Sequence, residues 1–80
     1  MLKMTLTTAY IKPATPEDEQ TAVSLIKGVT GKFASVVADE NGNPLWAVKL
    51  DDAGHHDLRV AIGCINEQAG MPVLERVYGL

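Results

Sequence analysis

The densest collection of chemically active side chains is Asp51-Asp52-Ala53-Gly54-His55-His56-Asp57, a run of carboxylates and imidazoles suited to a divalent cation or to proton transfer. Asp52, His55, His56 and Asp57 are its ligand or metal candidates. Their spacing argues against a metal cage. Adjacent histidines diverge by about 100° on a helix, whereas the usual helical zinc pair is spaced i, i+4. No further strong ligand stands where it would complete the shell. The same run reads as a helix start, with Asp52 capping and Asp57 meeting the positive end of the helix.

Two other features invite chemistry and fall short of it. Cys64 is the single cysteine and lies roughly two helical turns beyond the histidines, a poor distance for a nucleophile–base pair. A lone thiol forms no intramolecular disulfide, so Cys64 is expected either to reflect a reducing compartment or to be merely a buried small hydrophobe. Gly28-Val29-Thr30-Gly31-Lys32-Phe33 resembles a phosphate loop only superficially. The Walker pattern needs a glycine where Ile26 stands and a Ser or Thr where Phe33 stands. No catalytic residue and no cofactor is therefore assigned.

The elements that position these residues are legible from pattern. Thr5 to Lys12 is β-rich and stops at Pro13. Thr15-Pro16-Glu17-Asp18 opens a helix on whose apolar face lie Ala22, Val23, Leu25, Ile26 and Val29, with Gly28 and Gly31 supplying its stop. Phe33 to Ala38 and Leu45 to Leu50 are strand-like and flank Asn41-Gly42, a hairpin signal. A second helix is expected over His55 to Gln68, with Leu58, Ala61, Ile62 and Ile65 sharing a face. Gly70 ends it, and Pro72 to Tyr78 reads as the last strand.

The order β-α-β-β-α-β in one 80-residue domain predicts an α+β, ferredoxin-like two-layer sandwich, with an antiparallel four-stranded sheet carrying both helices on one face. A two-residue turn at Asn41-Gly42 would put Phe33, Val37, Trp46, Val48 and Leu50 on one side of the hairpin. Ala34, Val36, Ala38, Leu45, Ala47 and Lys49 would then form the other side, an apolar surface expected to be an interface. Pro44 fits a strict ladder poorly, so a longer loop with a shifted register is the alternative.

Composition narrows the function. A net charge of −3 offers no footprint for nucleic acid or anionic lipid, and the small acidic groups suit helix starts and turns. The opening Met1 to Thr8 lacks the apolar run of a signal peptide, and no run of eighteen apolar residues occurs, so a cytoplasmic chain without membrane contact is expected. The chain carries neither the sheet aromatics of RNA-recognition domains nor the paired cysteines of metal-transport domains. Its arginines, Arg59 and Arg76, stand outside any glycine-rich cradle of the acylphosphatase kind.

These residues point to a non-enzymatic protein–protein interaction module, either a homodimer or a small inhibitor or adaptor of a larger machine. A small-ligand regulatory domain with its site at a dimer seam is the alternative. A metal-dependent or acid–base enzyme around His55, His56 and Asp57 comes third.

Overall fold

A computed structural model describes residues 5–78 of the chain; the start of the leader reading, residues 1–4, lies outside them. The elements are β1 (Thr7–Pro13), α1 (Glu19–Thr30), β2 (Ser35–Ala38), β3 (Pro44–Leu50), α2 (Asp52–Ala69) and β4 (Leu74–Val77). A short 3₁₀ turn, Pro16–Asp18, leads into α1. The strands form one antiparallel sheet in the order β2-β3-β1-β4.

The caps are local chemistry. The Asp18 carboxylate accepts from the Thr15 N–H at 3.2 Å and from the Thr15 hydroxyl at 2.9 Å, which pins the turn before α1. Gly31 closes α1 at φ 73°, a left-handed conformation that suits glycine, and its N–H donates to the Lys27 carbonyl. Asp51, one residue earlier than expected, caps α2 by accepting from the Gly54 N–H at 2.8 Å. Asp52 is thus the first helical residue, and α2 begins three residues before the anticipated His55.

Alternation along β1 and β3 turns Ala9, Ile11, Trp46, Val48 and Leu50 to one side, where Ala22 and Ile26 of α1 and Leu58 and Ile62 of α2 cover them. Leu74 of β4 completes this cluster. Asn66 ties the end of α2 to β4. Its Oδ1 accepts from the Val73 and Leu74 N–H groups at 2.9 and 3.1 Å, and its Nδ2 donates to the Leu74 carbonyl at 2.8 Å.

The hairpin departs from expectation by one residue. Val36 pairs with Trp46, Val37 with Leu45 and Ala38 with Pro44, so five residues, Asp39 to Asn43, form the loop. The cause is the Asp39 side chain, whose Oδ1 accepts from the Asn41 N–H at 2.9 Å and the Asn43 N–H at 2.8 Å and holds a wider turn than Asn41-Gly42 alone. A one-residue slip reverses every side chain of β2 relative to β3. The expected interface set therefore divides. Val36 and Ala38 join the helix-covered side, Ala34 packs against the core there, and Leu45, Ala47 and Lys49 lie on the opposite side.

Two further readings are corrected. Phe33 is 78% exposed rather than part of a core face, because β2 begins only at Ser35 and leaves it in the preceding segment. Cys64 is exposed, since Leu58, Ile62 and Ile65 take the buried face of α2 and Cys64 falls outside that stripe.

Candidate functional site

The structure brings Asp52, His55 and His56 to one cleft of about 480 Å³, also lined by Thr7, Thr8, Arg59, Arg76 and Tyr78. Asp57 lines a different depression with Lys32 and Leu50, so the four ligand candidates are not gathered. Among the described residues no three His, Cys, Asp or Glu side chains converge as a metal set.

His55 is held at both ring nitrogens. Its Nε2 lies 2.8 Å from the Thr7 hydroxyl and 3.1 Å from the Thr7 carbonyl, and its Nδ1 accepts from Arg76 Nη2 at 3.2 Å. An Arg cannot accept, so Nδ1 presents its lone pair and the ring proton sits on Nε2, aimed at Thr7. The ring acts as a spacer between β1 and β4 and has no free nitrogen for a metal or a substrate proton.

Arg76 is the residue that the chemical reading passed over. In β4 it pairs with Ile11, which places it two positions from Leu74 on the helix-covered side of the sheet. Its Nε and Nη1 are buried and have no hydrogen-bond partner among the described residues. A buried orphaned donor costs about 1–3 kcal/mol, and more when charged, so such a group calls for a reason. The Tyr78 ring lies over the guanidinium, 5.2 Å from Cζ to the ring centroid. The legible signal was the alternation Leu74, Arg76, Tyr78, which puts a charge in a core-facing position.

The other surface of note is the sheet edge. All four residues of β2 are exposed, and its outer side pairs with no strand among the described residues. A groove of about 400 Å³ runs beside it, lined by Tyr10, Lys32, Phe33, Ser35, Val37 and Lys49 among others. Lys27 Nζ sits 4.3 Å from the Phe33 ring centroid, and Lys32 Nζ donates to the Lys49 carbonyl at 2.8 Å.

Comparison with protein-family models, with curated proteins and with solved structures finds no significant match. Among the described residues no helix is long and apolar enough to cross a membrane.

Proposed function

We propose that this chain is a non-enzymatic protein-binding module, built on a ferredoxin-like sandwich, that pairs with a second copy of itself through β2. The sheet order with β1 and β3 at the centre, and the two helices each linking strands that are not neighbours, support the fold reading. The observation that carries the functional reading is the edge strand itself. Ser35-Val36-Val37-Ala38 is uncharged, free of proline and exposed at every residue, the kind of edge that accepts another strand. Val36 is 61% exposed although it faces the helix side, and Phe33 stands beside it as an aromatic anchor.

Charge supports a second copy as the occupant. An antiparallel β2–β2 pair about a two-fold axis at Val36 would set Lys32 of one copy opposite Glu40 of the other and Phe33 opposite Asp39, twice by symmetry. A single exposed thiol suits a reducing compartment such as the cytoplasm. The acid–base alternative is disfavoured because both nitrogens of His55 are engaged.

Sedimentation of the reduced chain across a concentration series tests the reading. A dimer is expected. Glu40→Lys should weaken it, and Lys32→Glu with Glu40→Lys should restore it. A monomer at every concentration, or a dimer indifferent to Val36→Lys, overturns it.

A further inference from the structure

The cleft at the opposite sheet edge from β2 concentrates positive charge in a chain whose net charge is −3. Both arginines of the whole sequence, its two guanidinium charges, line it against one carboxylate, Asp52. The Arg76 guanidinium lines it, with Nε and Nη1 buried and without a partner among the described residues, and with Nη2 held in place through His55 by Thr7. Arg59 approaches from α2 and Thr8 from β1, so with Arg76 of β4 donors arrive from three elements.

We propose that this cleft binds the phosphate group of a small ligand, held between the guanidiniums of Arg76 and Arg59. Guanidinium N–H groups form short, charge-assisted bonds to phosphate oxygens, and two of them match a dianion. Donors converging from a strand, a helix and a second strand suit a tetrahedral oxyanion better than a flat monocarboxylate. The anion supplies an acceptor to one of Nε and Nη1, which diverge about the guanidinium and have no partner among the described residues. Tyr78, 67% exposed and stacked over the guanidinium, is the side chain that moves aside to admit it. His55 and Thr7 are positioning residues, since they hold Arg76 and do not themselves meet the ligand.

The test is a proton–nitrogen NMR titration of the full chain with inorganic phosphate, with chloride and acetate arms at equal ionic strength. Saturable shifts are expected at the Arg76 and Arg59 side-chain N–H signals and at the Thr7, Thr8 and His55 amides, for phosphate alone. Arg59 is exposed, so Arg59→Gln should fold normally and bind phosphate roughly tenfold more weakly. Arg76→Gln should lose binding. Should that variant fail to fold, Arg59→Gln still decides the matter. Phosphate shifts no larger than those of chloride, acetate binding as tight as phosphate, or an unchanged affinity in Arg59→Gln each overturn the proposal. The site is remote from β2, so it stands or falls independently of the dimer.

Discussion

Trp46 and Arg76 share the helix-covered side of the sheet and illustrate opposite solutions to burial. Trp46 is 7% exposed and packs within the cluster of Ile11, Ile26, Val48 and Leu58, so its apolar surface is removed from water by its own neighbours. Trp46→Ala should destabilise the chain by about 3–5 kcal/mol, measured as a fall in the urea midpoint, because the cavity left behind cannot collapse fully. A near-neutral result would mean that the indole is not a core group. Arg76 occupies an equivalent layer with a charge instead of a hydrocarbon, and its N–H groups are only partly met by His55. Sequence alternation carries a trace of that conflict in Leu74 and Arg76, although Val73 and Val77 make the other side of the strand equally apolar. What it does not show is that Thr7 and His55 turn the arginine into one end of a fixed relay.

At the scale of elements, the Asp39–Asn43 loop decides how β2 faces the rest of the sheet. The Asn43 N–H is the main cause, with the Asn41 N–H, the Asn43 side chain and the charge of Lys12 assisting, that the Asp39 carboxyl titrates below its ordinary 3.8 despite some opposing desolvation. A carboxyl depressed in the folded state stabilises that state once pH is above the unfolded value. The contribution fades as pH falls through the lower folded value. Wild type and Asp39→Ala should therefore differ most at neutral pH and converge in strong acid, read from urea midpoints at the two conditions. Parallel curves would show that the loop does not depend on the ionised side chain. The helices behave differently. Their ends rest on Asp51, Gly31 and Gly70, each acting within four residues of the chain, and the sequence pattern locates them to within a few positions.

For the molecule as a whole, the two sheet edges carry separate roles. β2 is bare, uncharged and available to another strand, whereas β4 is flanked by the arginine- and histidine-lined cleft. Cys64 lies on the exposed side of α2, away from the core stripe. It should react stoichiometrically with an aromatic disulfide reagent without denaturant, followed by absorbance. A thiol that reacts only after unfolding would contradict its exposure. The same accessibility means that association through β2 must be measured under reducing conditions, where a disulfide-linked dimer does not form.

The order of elements, the turns and caps to within a few positions, and the apolar faces of both helices were determined by the sequence alone, because each depends on side chains within a turn or two of one another. Tertiary structure decided the hairpin register, the exposure of Phe33 and Cys64, and the meeting of Thr7, His55 and Arg76. His55 stands 48 positions from Thr7 and 21 from Arg76. No local pattern encodes those distances. They are set by how β1 and β4 lie side by side in the sheet while α2 packs across them, and only the closed fold brings the three side chains together.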